Sequence, residues 1–80
     1  MQHLKIKIYT SPGCPHCRAA KEFFRSYGIK FKEIDITKNP KEADRIYKKA
    51  KIMATPIIEI GNRIIVGFDR AKIKKMVGIP

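Results

Sequence analysis

Apolar residues recur along this chain with two different periods. Near the start, Leu4, Ile6 and Ile8 alternate with Lys5, Lys7 and Tyr9, which predicts a half-buried strand over residues 3–9. Residues 10–13 break the alternation and read as a loop. From Cys14 the period lengthens: Ala20, Phe23, Phe24 and Tyr27 fall at i, i+3, i+4 and i+7, one stripe of a helix. Gly28 follows as the residue that stops it. Alternation returns over residues 31–36. Asn39 and Pro40 then supply an N-cap and a first-turn proline for a second helix, whose apolar face is Ala43, Ile46, Tyr47 and Ala50. Residues 56–60 and 63–66 are short apolar runs joined by Gly61-Asn62, a two-residue hairpin signal. Asp69 is placed to cap a last helix through Val77, with Phe68 and Ile73 spaced for a hydrophobic staple.

The order β-α-β-α-β-β-α predicts an α/β fold. Its strand-helix-strand unit requires a right-handed crossover and a parallel pair. The hairpin adds an antiparallel pair. Four strands and three helices then form a mixed sheet with one or two helices on each face. The chain has 80 residues and shows no repeat, linker or low-complexity segment, so residues 1–80 are expected to be a single domain.

Apolar residues make up 44% of the chain and charged residues 31%, the balance of a globular rather than a disordered protein. No apolar stretch approaches the ~20 residues that span a bilayer. The segment MQHLKIKIYTS has no continuous apolar leader, so the expected location is the cytoplasm, where static disulfides are uncommon. The formal net charge of +11 raises the question of acidic partners. The lysines are scattered singly or in pairs, with no RRM, KH or helix-turn-helix signature, which points to acidic proteins rather than nucleic acid. Thirteen lysines and fourteen isoleucines against only three Asn plus Gln lean toward a heat-adapted source, although glutamate is not enriched.

The chemistry rests on the only two cysteines, Cys14 and Cys17, with Pro15 and His16 between them. As a structural staple the pair is poorly placed. A disulfide closing so short a loop contributes roughly 2 kcal/mol or less, against ~4 to 5 for a long loop. As a structural zinc site it lacks a second pair, and only His3 and His16 remain as soft donors. A c-type haem needs histidine after the second cysteine, where Arg18 stands. A metal or iron-sulfur cluster shared between two chains remains the alternative. The redox reading uses the helix start. With Cys14 as N-cap, Pro15 occupies N1, where no amide is needed, and the His16 and Cys17 amides point at the Cys14 sulfur. Those donors, the helix dipole, a protonated His16 and the nearby Arg18 all favour a thiolate. Cys14 is then the exposed nucleophile, and Cys17, one turn inside, resolves the mixed disulfide.

A strand followed by CPHC at a helix start, in this element order, resembles the thioredoxin superfamily. In size and detail it is similar to glutaredoxins and glutaredoxin-like thioredoxins. The likeness spans nearly the whole chain. IYTSPGCPHC resembles their first strand and active-site loop, and ATPIIEIGNRIIVGFDRAKI their cis-proline, hairpin and last helix. The resemblance implies a minimal thioredoxin fold and a redox-active Cys14–Cys17 disulfide without a bound organic cofactor or metal. It implies a cis bond before Pro56, with the Thr55 backbone pairing with a client protein as an added strand. Pro12, Gly13, Gly67 and Phe68 complete the client surface.

Two positions depart from the glutathione-using members. These usually carry lysine three residues before the first cysteine and a double glycine before the last helix's aspartate. Here those places hold Ser11 and Val66-Gly67, while Asp69 is retained. The GFD stretch resembles instead small redoxins served by a thioredoxin reductase. The Pro-His dipeptide resembles that of strongly oxidising periplasmic relatives and implies a stabilised thiolate. The expected protein is a monomeric protein-disulfide reductase. Its clients carry disulfides, and its electrons come from a thioredoxin-reductase-like donor rather than glutathione.

Overall fold

The computed structural model describes residues 5–78, in which the elements follow the predicted order. They are β1 (Ile6–Thr10), α1 (Pro15–Ser26), β2 (Lys32–Asp35), α2 (Pro40–Ala50), β3 (Ile57–Ile60), β4 (Arg63–Val66) and α3 (Arg70–Val77). Leu4 and His3, the start of the predicted first strand, lie outside the described residues. The strands form one mixed sheet in the order β2-β1-β3-β4. β1 runs parallel to β2, with Thr10 opposite Asp35, and antiparallel to β3, with Tyr9 opposite Ile57. β3 and β4 make the hairpin across Gly61-Asn62. Of those two turn residues, only Gly61 has positive φ, at 60°. That suits a turn with glycine first.

Each helix starts where its capping residue stands. The Cys14 side chain accepts from the Cys17 amide at α1, and the Asp69 carboxylate accepts from the Lys72 amide at α3. Asn39 is the N-cap of α2 by position, but its side chain makes no cap bond. It donates instead to the Asp35 carbonyl, while Asp35 itself accepts from the Thr37 amide and hydroxyl. No helix among the described residues is long and apolar enough to cross a membrane.

The two faces of the sheet are packed differently. On one, Ala20, Phe23 and Phe24 of α1 and Ile73 of α3 close over Ile6, Ile8, Ile58, Ile60 and Ile65, a wholly apolar cluster. Phe68 packs against the same cluster as Ile73, as the staple spacing predicts. Fully burying one such isoleucine stabilises by roughly 1.5–3 kcal/mol. Tyr27, expected in the α1 stripe, is instead its exposed C-cap and lies against the Phe23 ring. The helix ends before its side chain can turn inward.

On the other face, Ile46 of α2 packs on Tyr9, Ile34 and Ile57. Tyr9 corrects the half-buried reading of β1, because it is completely buried. β1 is a central strand, so its polar-looking side is roofed by α2. The single proton of the Tyr9 hydroxyl is shared between Glu59 at 3.1 Å and Glu42 at 3.2 Å, and Arg45 donates to that hydroxyl. Glu59, on β3 and only 7% exposed, also receives Arg45 at 2.8 Å and Lys49 at 3.0 Å. The Arg45 guanidinium holds the Glu59 carboxyl down at about 2, against the opposing effect of burial, with help from Lys49 and Tyr9. A buried carboxylate is tolerated because every lone pair has a donor.

The folded carboxyl lies below its ordinary value of 4.5. Its contribution is therefore complete above that value and is lost as pH falls toward 2, a swing of about 3 kcal/mol. We expect Glu59→Gln to lower stability at neutral pH by about 3 kcal/mol and to flatten the loss on acidification. Urea unfolding of both proteins across this pH range is the measurement.

Candidate functional site

β1 and β3 deliver two loops to one end of the sheet. The chain leaves β1 at Thr10, turns through Pro12 and Gly13, and enters α1 at Cys14. Pro12 followed by a glycine with φ of 73° fits a turn that needs its third residue left-handed. Beside it, Thr55 and Pro56 lead into β3 through a cis peptide bond. The Gly67 amide, leaving β4, donates to the Pro56 carbonyl at 2.8 Å. A side chain at Gly67 would meet nothing within 4 Å, so its φ of 84° rather than crowding calls for glycine.

The two sulfurs differ in access. Cys14 is half-buried and Cys17 is 2% exposed. The Cys17 amide donates to Cys14 Sγ at 3.2 Å, and the Thr55 hydroxyl lies 3.9 Å from the same sulfur. Partial burial is the largest single influence on the Cys14 thiol and opposes ionisation. The Cys17 thiol and amide, the Thr55 hydroxyl and the His16 amide together outweigh it and bring it below its ordinary value. Burial first, and then the adjacent Cys14 sulfur, push the Cys17 thiol up to about 11.

The residues singled out in the sequence meet here to different degrees. Cys14, Cys17 and Thr55 are in mutual contact, and Pro56 and Gly67 are bonded to each other. Pro12, Pro15 and His16 are exposed around the cysteine loop. Phe68 is half-buried, and its ring meets Phe23 edge-on at 5.7 Å. Sequence reading missed the partnership of Ser11 with Thr55, whose hydroxyl oxygens are 2.7 Å apart. It also missed a cleft of about 500 Å³ on the α1–β2 side of the sulfurs, where Arg18, Lys21, Glu33 and Asp35 stand beside Cys14 and Cys17. There Glu33 accepts from Lys21 at 2.9 Å and from Thr10 at 3.0 Å. Lys21 holds its carboxyl below the usual value, against partial burial and with help from Thr10. Alternation marks none of these polar partners, because each joins residues far apart in the chain.

Residues 6–65 match the family profile described as glutaredoxin. The chain belongs to the glutaredoxin family. This glutaredoxin-family chain is 38% identical over 72 residues to an uncharacterized glutaredoxin-like 8.6 kDa protein in a rubredoxin operon of Clostridium pasteurianum. That match covers 90% of this chain and 96% of the relative. Among solved structures, a mutant of the thioredoxin-like protein BC3987 superposes with a TM-score of 0.89 at 28% identity, covering 95% of this chain and 97% of its own. The glutaredoxin-like NrdH-redoxin of Escherichia coli, described as having a thioredoxin-like activity profile, superposes with a TM-score of 0.80 at 25% identity. It covers 89% of this chain and 92% of its own. The predicted thioredoxin fold is therefore present, and glutaredoxin-family chemistry is thiol-disulfide oxidoreduction.

The difference between the two thiols has a direct readout. Limited iodoacetamide at neutral pH is expected to label Cys14 and leave Cys17 unmodified, with mass spectrometry locating the adduct. In Cys14→Ser, the midpoint for Cys17 alkylation should fall below about 11, because the neighbouring sulfur that helps raise it is gone.

Proposed function

We propose that this glutaredoxin-family chain is a protein-disulfide reductase, served by a thioredoxin-reductase-like donor rather than by glutathione. The observation that carries the reading is the Cys17 amide held 3.2 Å from a reachable Cys14 sulfur, with Cys17 itself shielded behind it. Helix-start amides stabilise charge on sulfur, so Cys14 is the thiol available as an anion.

In the first step, the Cys14 thiolate attacks one sulfur of a client disulfide. A Cys14–client bond forms, the client S–S bond breaks, and one client thiolate leaves. In the second, Cys17 loses its proton and attacks the Cys14 sulfur. The Cys14–Cys17 bond forms and the second client thiolate leaves. The client gains two electrons and, after protonation, two thiols; the protein is oxidised by the same two electrons. The charge on Cys14 disappears once the mixed disulfide forms. With it go two of the influences that hold the Cys17 proton, leaving burial. The first step therefore prepares the second.

Pro15 presets the first turn of α1, and His16 adds its amide, and when protonated its imidazole charge, to the field at Cys14. The client lies along Thr55, Pro56, Gly67, Phe68 and Pro12, its backbone pairing with Thr55. The net charge of +11 favours acidic clients. Three features support a flavoenzyme donor over glutathione. Ser11 stands where glutathione-using relatives usually have lysine, Val66-Gly67 replaces their double glycine, and the NrdH-redoxin neighbour has a thioredoxin-like activity profile. The reduced protein works as a monomer and carries no bound organic cofactor or metal.

The test offers the oxidised protein to a thioredoxin reductase with NADPH and, separately, to glutathione with glutathione reductase. Reduction is followed with insulin as terminal acceptor. Turnover is expected with the first donor, complete loss in Cys14→Ser, and a trapped mixed disulfide in Cys17→Ser. Efficient reduction by glutathione alone would reverse the donor assignment, and activity in Cys14→Ser would end the mechanism.

A further inference from the structure

Ser11 and Thr55 come from loops 44 positions apart, yet their hydroxyl oxygens are 2.7 Å apart, and the Thr55 oxygen is 3.9 Å from Cys14 Sγ. Each hydroxyl has a single proton to give and two lone pairs to receive with. When Thr55 gives its proton to Ser11, none is left for the sulfur. Donation from Thr55 to the sulfur therefore requires Ser11 to donate to Thr55.

We propose that Ser11 is a positioning residue for the Cys14 thiolate, its hydroxyl donating to Thr55 and so directing the Thr55 proton onto the sulfur. Both ends of this relay are held by the fold. Ser11 follows directly on β1, and its backbone favours charge on the Cys17 sulfur. Thr55 leads into β3, the antiparallel partner of β1. Both residues are half-buried, so water competes weakly for their hydroxyls.

The relay acts on one redox state. A thiolate is a charged acceptor that rewards an aligned donor, whereas a disulfide sulfur is neutral and accepts weakly. A donor into the Thr55 oxygen polarises its O–H bond and strengthens the outgoing bond. Ser11 thus favours the dithiol form over the disulfide without touching the reacting atom. The inference rests on the proposed role of Cys14 as the exchanging thiol.

A double-mutant cycle on the full chain tests it, using Ser11→Ala, Thr55→Val and the two combined. The Cys14 midpoint is read from ultraviolet thiolate absorbance. The thiol-disulfide equilibrium is read against dithiothreitol at neutral pH. Ser11→Ala is expected to raise the midpoint by roughly 0.3–0.5 unit, about a two- to threefold change, and to move the equilibrium toward the disulfide. Thr55→Val should raise the midpoint by about one unit, tenfold. In the Thr55→Val background, Ser11→Ala should have no further effect. With Thr55 intact, Ser11→Thr should keep the wild-type midpoint. Equal shifts from Ser11→Ala in both backgrounds, or none in the wild-type background, would overturn the proposal. A coupled titration in a protein that reduces no disulfide supports the relay while removing the proposed function, so the two failures are distinguishable.

Discussion

β1 lies antiparallel to β3 with Tyr9 opposite Ile57, and that single register brings the reactive end of the molecule together. Ser11 follows β1 and Thr55–Pro56 precedes β3, so the pairing sets their hydroxyls side by side. β2 closes the far side of β1 through Thr10 and Asp35, and β4 returns Gly67 to the Pro56 carbonyl. A slip of one residue would turn Tyr9 toward α1 and Ile8 toward α2. It would also separate Thr55 from the sulfur it faces. Fold and site are two results of one strand pairing.

Within that frame, local chemistry finishes the site. Cys14 is both the first cap of α1 and the sulfur that the helix start stabilises. The same hydrogen bond ends a stretch of loop and lowers a thiol. Cys17, on the buried stripe with Ala20 and Phe24, belongs to the core and to the redox pair at once. Two intervening residues place one sulfur in reach of solvent and the other behind it.

The elements were legible because their signals are local. Proline after a capping residue, glycine after the Phe23–Phe24 stripe and Gly61-Asn62 between two apolar runs each act within a few residues. The cysteine pair was legible for the same reason. Tyr9, Glu59 and Ser11 were not. Alternation assigned Tyr9 to the polar side of β1, since nothing near it in the chain announces the α2 roof. Glu59 looks like the solvent-facing member of IIEI until Arg45 and Lys49 arrive from another element. Ser11 reads only as the place of a missing lysine until Thr55 is beside it. Asn39 shows the converse: the residue type is right for a cap, but a competing carbonyl takes its side chain.

The charged seam beneath α2 carries a thermal consequence. Removing ions from water becomes less unfavourable on heating, because the entropy of their hydration is strongly negative. Apolar burial, which holds α1 and α3, gains no comparable advantage. The helix roofing β3 therefore adds to its own apolar contacts, through Ile46, an ion network whose desolvation cost falls with temperature. Glu59 sits three positions beyond Pro56 on the strand that presents Thr55. The strand that presents Thr55 to the sulfur is thus tied down by two kinds of interaction, charged on the α2 side and apolar on the other.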